Sequence, residues 1–286
     1  VHQLRLDDQV VADIERDALH REVQRTQGTL HTERAYDPAG RLLRQAAMLK
    51  GGKSVLERRF AYDRAGRLVL AIDKGQELVY GYAALDRLTR FNEERFAFDP
   101  AHNLIGVATG PQPSMGQQEN GRITVLEDKR FRYDAHGRLV EKRVGANKVI
   151  QFKWDDAHRL IESTTQTLGG NTTTRYLYDP LGRRIAKKAD AGLTWFVWVE
   201  DTLVQQWTDQ AHHTFIYEPD SFTPLAVCVR GTLPDAPPAD IYHYHCDQVG
   251  LPRELTDADG VVRWQGQFSA WGRLNAPGQE GVHSKS

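Results

Sequence analysis

The sequence is poor in the features that usually announce a function. It holds only two cysteines, Cys228 and Cys246, too few for a disulfide framework. No apolar run approaches the about eighteen residues of a spanning helix, and the start shows no basic leader followed by an apolar stretch. A charge excess is missing too. With 37 Lys and Arg against 38 Asp and Glu the formal charge is −1, which gives neither nucleic acid nor an anionic bilayer a bulk reason to bind. A helical period is lacking except over residues 10–23, and those fit a second pattern equally well.

That pattern is one of turns. In Tyr176-Leu-Tyr178-Asp179-Pro180-Leu-Gly182-Arg183-Arg184 each residue suits a tight hairpin. Asp179 can accept bonds from backbone further along, Pro180 pre-sets φ for a type I turn, and Gly182 tolerates φ > 0. A bulged three-residue loop follows, with Asp179 and Arg183 flanking it as a pair of opposite charge. The same spacing recurs at Tyr36-Asp37-x-x-Gly40-Arg41-Leu42, Tyr62-Asp63-x-x-Gly66-Arg67-Leu68 and Tyr133-Asp134-x-x-Gly137-Arg138-Leu139. Weaker copies start at Arg16, Tyr82, Phe98 and Trp154, the last two with His102 and His158 at the Gly position. An internal repeat of this kind decides the fold before any single element does.

A second aromatic or similar residue stands two positions before most of these, as in Phe60/Tyr62, Tyr80/Tyr82, Phe96/Phe98, Phe131/Tyr133, Phe152/Trp154 and Tyr176/Tyr178. Residues two apart share one face of a strand, so Arg59, Arg95, Arg132, Lys153 and Arg175 are expected on the other. Further turn signals, Gly51-Gly52, Lys74-Gly75, Gly145 to Asn147 and Gly169 to Asn171, lie a strand's length away. The expected fold is therefore all-β, a long antiparallel meander of hairpins wound into a curved sheet. Its expected parts are a repeat array over residues 1–195, a closing segment over 196–274 and a tail over 275–286. Pro-rich composition marks exposed loops at 108–121 and 231–240.

The Tyr-Asp-x-x-Gly-Arg-Leu array resembles the YD repeats of RHS proteins. His243-Tyr-His-Cys-Asp247-Gln-Val-Gly250-Leu-Pro252-Arg253-Glu254-Leu255-Thr256-Asp257-Ala-Asp-Gly260, continued by Val262-Arg-Trp264 and Ser269-Ala-Trp271-Gly272-Arg273-Leu274, is similar to the segment that closes bacterial RHS cores. The resemblance implies a hollow shell around a C-terminal toxin domain, in a polymorphic toxin that a type VI system often delivers to rival cells. It implies a bacterial cytoplasmic stage before export, and as partners the toxin domain, the remaining shell segments, a secretion spike and a chaperone. Complete members continue into an Asp-Pro-x-Gly-Leu stretch where self-cleavage can occur, and many carry an N-terminal spike-docking region. Neither stands in these residues, so a shell segment, an orphan copy or a cleaved piece is expected.

The chemistry-bearing residues have plainer roles open to them. His243, His245 and Asp247 share a strand parity and could supply N and O ligands to a metal, but satisfied strand and turn residues explain them better. Cys246 is flanked by His245, yet neighbours on a strand face opposite ways, so a buried inert thiol is expected. Ser163, Ser221 and Ser269 lack a nucleophile-elbow context. Aromatics spaced along the chain could form a sugar platform, an adhesive role, although their i, i+2 pairing favours packing. No catalytic residue and no cofactor are assigned. The residues singled out are those of the turns: Tyr36, Asp37, Gly40, Tyr62, Asp63, Gly66, Tyr133, Asp134, Gly137, Tyr178, Asp179 and Gly182.

Overall fold

The computed structural model describes residues 2–6, 9–109, 114–233 and 239–277. Among them there is no α-helix, only a short 3-10 turn at Ala84–Asp86, and almost all regular structure is antiparallel strand. Strands follow one another in sequence order in two open sheets, as a meander of short hairpins requires. Residues 10–23, the one stretch with a helical alternative, form strands Gln9–Arg16 and Glu22–Gln27 joined at Asp17. The chain divides into two compact units, Val1–Arg87 with His213–Ser286, and Leu88–His212.

The first unit has two layers. One is the array from Gln3–Leu6 to Gln76–Tyr82, the other the closing strands Pro224–Gly231, Asp240–Cys246, Pro252–Thr256, Val262–Phe268 and Leu274–Pro277. Alternation along the array turns Leu30, Ala47 and Leu56 inward into one cluster. Val227, Tyr244, Cys246 and Leu255 form a second cluster, against which Phe215, Val229, Tyr242 and Trp264 pack. A fully buried Leu or Val contributes about 1.5–3 kcal/mol, so these clusters account for much of the unit's cohesion. The layers also touch through backbone. Thr29 N–H donates to Ala258 O at 2.9 Å, and the neighbouring Gly28 has φ +58° with so little room that a Cβ would lie 2.3 Å from Ala258 O.

The second unit holds fewer buried side chains, among them Phe91, Phe96, Ile105, Glu141 and Ala186. Its strands show a clean alternation instead. In Lys148–Trp154, Gln151 and Lys153 are exposed while Ile150, Phe152 and Trp154 are half-buried. Arg132 and Arg175 lie on exposed positions as well, and in the first unit so does Arg59. Thr164 and Thr173 face each other in register with hydroxyls 3.2 Å apart, one of the cross-strand pairs that hold such a sheet.

Three sequence expectations change. The grouping of strands ignores a boundary at 195/196, because the closing strands pack on residues 1–87 while the strands of 88–212 form their own unit. Residues 108–121 hold strands Ser114–Met115 and Gln117–Glu119, with Gly116 N–H donating to Ile105 O at 2.5 Å; Gln117, Gln118 and Glu119 pair their backbone while their side chains stay exposed, which their composition conceals. The expected tail begins in strand Leu274–Pro277, whose Ala276 is in register with Gln267. Residues 231–240 join strands Pro224–Gly231 and Asp240–Cys246, and 234–238 lie outside the described residues.

Gly28 and Gly182 both take positive φ, +58° and +83°, but a Cβ at Gly182 would meet nothing within 4 Å. Alanine at either position adopts a left-handed conformation at about 1–2 kcal/mol. Gly28→Ala should therefore destabilise the protein clearly more than Gly182→Ala in urea titrations, by roughly 1–3 kcal/mol for the forced separation of the layers. Equal losses would remove the role assigned to the close approach at Ala258.

Candidate functional site: a clamped rim and a charged seam

The motif turns share one set of bonds. In the last of the clear copies Asp179 N–H donates to Arg183 O and Gly182 N–H to Asp179 O, both at 3.0 Å. Asp179 Oδ1 accepts the N–H groups of Leu181 and Arg183 at 2.9 Å, and Oδ2 accepts Arg183 Nε at 2.7 Å. Tyr178 is in register with Arg184 across a bulge. Asp37 and Arg41, Asp63 and Arg67, and Asp134 and Arg138 repeat the side-chain bond at 2.6, 2.7 and 2.6 Å. The Asp63 carboxyl is held below the usual carboxylate range first by the Arg67 side-chain bond. Gly40, Gly66, Gly137 and Gly182 all have positive φ, and so do His20, His102 and His158 at the same place in their turns.

Each turn is also fastened to the next. Arg21 lies over the Tyr36 ring at 5.0 Å and donates to Asp37 O at 3.3 Å, while Tyr36 hydroxyl donates back to Glu22 O at 2.8 Å. Arg41 and Tyr62 repeat this, with the Tyr62 hydroxyl on Leu42 O at 3.0 Å. So do Arg67 and Tyr82, with the hydroxyl on Leu68 O at 2.9 Å. In the second unit Tyr133 donates to Ile123 O, Trp154 to Leu139 O, Tyr178 to Leu160 O and Trp198 to Arg184 O, all at 2.8–2.9 Å. An aromatic with a polar tip is needed for that double contact, to a cation by its face and to a carbonyl by its edge.

Sequence reading missed four members of this rim. Gly121-Arg122-Ile123 acts as the latter half of a copy, with Arg122 6.0 Å from the Tyr133 ring. The closing segment repeats the backbone turn too: Gly250 donates to Asp247 O, Gly260 to Asp257 O and Gly272 to Ser269 O. The Asp/Ser-x-x-Gly spacing was the available signal.

The second feature is the seam between the two layers of the first unit. Gln45 stands in register with Arg34 and Arg58, and Arg58 with Asp73, along the inward face of the array. Arg58 is 2% exposed; it pairs with Glu254, also 2% exposed, and with Asp73 Oδ2 at 3.2 Å. Lys74 Nζ lies 3.4 Å from Glu254 Oε1. Further along, buried Arg25 pairs with Glu22 and Glu218, and Arg34 Nη1 lies 3.4 Å from Glu22 Oε1. Gln27 Nε2 donates to Leu225 O at 3.1 Å.

His243 and His245 face this seam. Gln27 Nε2 is 3.4 Å from His243 Nδ1, and His245 Nε2 is hydrogen bonded to Thr256 Oγ1 at 2.9 Å. Burial takes His243 down to about 4, with the Asp257 carboxylate opposing and Arg25 adding to the shift. His245 is pushed well below its ordinary value by burial, then by His243, Arg58, Arg25 and Arg34. Asp247 does not join them. It caps its own turn, Oδ1 accepting Val249 and Leu251 N–H at 3.1 Å. The strand ends in a bulge between His245 and Cys246, so strand parity no longer places Asp247 beside the imidazoles. Among the described residues no group of three or more His, Cys, Asp or Glu is placed to hold a metal ion. Cys246 faces the apolar cluster, its thiol raised to about 12 by burial, which disfavours the nucleophilic thiolate.

A family model described as RHS protein matches residues 241–276. The chain is 41% identical to double-stranded DNA deaminase toxin A of Burkholderia cenocepacia, over 96% of this chain and 21% of that protein. It is 30% identical to toxin protein Tse5 of Pseudomonas aeruginosa, over 92% of this chain and 25% of that protein. The chain thus spans about a fifth to a quarter of these relatives. In fold it is similar to a chain of the TcdB2-TccC3 crystal structure, with a TM-score of 0.61 at 11% identity over 97% of this chain and 17% of that one.

Two outcomes follow from the seam. Arg58→Met leaves Glu254 and Asp73 buried without their main partner and should remove about 3–5 kcal/mol, whereas Arg58→Met with Glu254→Met should recover part of it, as urea titration can measure. The folded-state His243 and His245 resist a proton that the unfolded chain takes near pH 6.5. Their contribution is thus complete above that pH and falls as pH drops towards about 4, where His243 titrates. A loss approaching about 1.4 kcal/mol per pH unit per imidazole is expected between pH 6 and 5, shallower in His243→Gln.

Proposed function

Because the chain belongs to the RHS proteins, we propose that it is a non-catalytic wall segment of an RHS toxin, whose work is to enclose and help deliver a toxin domain carried elsewhere in the protein. The seam carries this reading. Arg25 meets Glu218 and Arg58 meets Glu254 across 193 and 196 residues of sequence, so strands from opposite ends of the chain are locked face to face. A wall needs such long-range closure more than it needs a cleft. The rim clamps add a continuous edge that fixes one strand against the next. On this reading the relatives' deaminase and toxin names refer to parts outside the matched region, and the partners are the toxin domain, further wall segments, a spike and a chaperone.

The adhesive reading has one observation in its favour. Trp195 and Trp207 stand in register on neighbouring strands, 44% and 40% exposed, and His212 stacks on Trp207 at 5.1 Å. Glycan-array binding that is lost in Trp195→Ala with Trp207→Ala would support it.

The wall reading is tested in the full-length protein. Its toxin domain should resist limited proteolysis, and Arg58→Met should expose it at markedly lower urea than in the wild type. Equal digestion of the toxin domain with and without the preceding segments would reject enclosure.

A further inference from the structure

A cavity of about 620 Å³ opens at the rim of the first unit, where the turns of Asp37, Asp63 and Asp247 come together. Arg34, Tyr36, Arg41, Glu218, Asp247 and Gln248 are among its lining residues. Its two arginines are engaged by carboxylates of their own, Arg41 by Asp37 at 2.6 Å and Arg34 by Glu22 at 3.4 Å. Asp247 is unlike the other turn aspartates. In the turns of Asp17, Asp37, Asp63, Asp134, Asp155 and Asp179 the residue four positions on is arginine, and its Nε donates to Oδ2 at 2.6–2.7 Å. Where that arginine is absent another donor takes its place. Asn103 Nδ2 and Gln118 Nε2 reach Asp99 Oδ2 at 2.8 and 3.0 Å, and Arg263 Nε reaches Asp257 Oδ2 at 2.7 Å.

In the Asp247 turn the equivalent residue is Leu251, which offers only its backbone N–H, to Oδ1. Oδ2 has Arg253 Nη1 no nearer than 4.0 Å, and Arg253 is drawn elsewhere, 3.9 Å from Asp73 and 5.6 Å from the Phe268 ring. The Asp247 side chain is nevertheless only 13% exposed. Burial raises its carboxyl, whereas arginine-capped Asp63 is lowered first by its Arg67 bond. A carboxylate withdrawn from water and lacking its turn's cation is the most favourable place on this rim for an incoming one.

We propose that the cavity is a receptor for a guanidinium group, an arginine side chain on another polypeptide segment, which would bind Asp247 Oδ2 as each turn's own arginine does in the sister turns. Arg21 gives the pattern, with Nε 2.7 Å and Nη2 2.6 Å from Asp17 Oδ2. A planar fork satisfies that oxygen better than a lysine ammonium. The rest of the protein and a separate partner could both supply the side chain.

Agmatine, an arginine without its carboxylate, is the probe, with its carbamoyl analogue, which keeps the ammonium end and replaces the guanidinium by a neutral urea, as control. Titrated into this chain at pH 7.5 and followed by NMR at the Asp247 carboxyl and Gln248 amide, agmatine should bind with a Kd on the order of 1–10 mM, and the carbamoyl analogue at least about tenfold more weakly. Asp247→Asn keeps an Oδ1 acceptor for the turn and should lose the agmatine response. Leu251→Arg restores the turn's own cation and should lose it as well, with a raised Tm. Absence of agmatine binding to the wild type overturns the inference, as does unchanged binding in both variants or equal binding of the carbamoyl analogue. In the full-length protein, agmatine excluded from the site assigns the arginine to the same protein, and agmatine still bound assigns it to a separate partner.

Discussion

A carboxylate that accepts its own turn's N–H groups and its own turn's guanidinium is the contact on which the rest of this protein depends. A meander of short hairpins has little to hold any one turn in shape, since each hairpin alone is marginal in water. The aspartate solves that locally: its two oxygens fix the backbone of residues i+2 and i+4 and immobilise the arginine. An arginine so fixed can act as a platform for the next tyrosine, and the tyrosine's hydroxyl then reaches back to the strand just left. Local turn chemistry is thereby converted into strand-to-strand register.

The two units use this rim differently. In the second, where few side chains are buried, rim clamps and cross-strand pairs make up most of the side-chain cohesion. In the first, a second layer covers the inward face, and buried ion pairs join the apolar and backbone contacts between the layers. Buried ion pairs seldom add net stability over apolar residues of the same size, because both charges must be withdrawn from water. Their effect here is selectivity of placement, since Arg58 between Glu254 and Asp73 penalises any sliding of the layers that would leave a charge unmatched.

The rim was legible because its partners lie four residues apart. Asp, Gly and Arg appear in the sequence at the spacing at which they touch, whereas each Tyr meets the Arg of the turn before, as Tyr36 meets Arg21. The seam was not, because Arg25 and Glu218 are brought together only by the fold. One hint was present: Arg58 stands two residues before Phe60 and four before Tyr62, so strand parity itself points it to the covered face, while Arg59 points away. For His243, His245 and Asp247 parity misled in the opposite direction, because the bulge after His245 breaks the alternation. The closing turns at Asp257 and Ser269 were hidden by a change of cap: Arg263 reaches back from six positions on, and Ser269 Oγ accepts the Arg273 N–H in place of a carboxylate.

The tyrosine–arginine fastening runs along one edge of the strands only. At the other edge the hairpins are closed by their own short turns, such as that around Gly170, where Thr167 donates to Gly170 O at 3.1 Å and Leu168 is 86% exposed. Each sheet is built like a bound book, its pages stitched at the spine and free at the fore-edge. Page length can then vary without disturbing the binding, which accounts for motif copies spaced as unevenly as Tyr36 to Tyr62 and Tyr62 to Tyr82 within one sheet. An engineer wishing to graft a loop therefore has the fore-edge as a margin to write in.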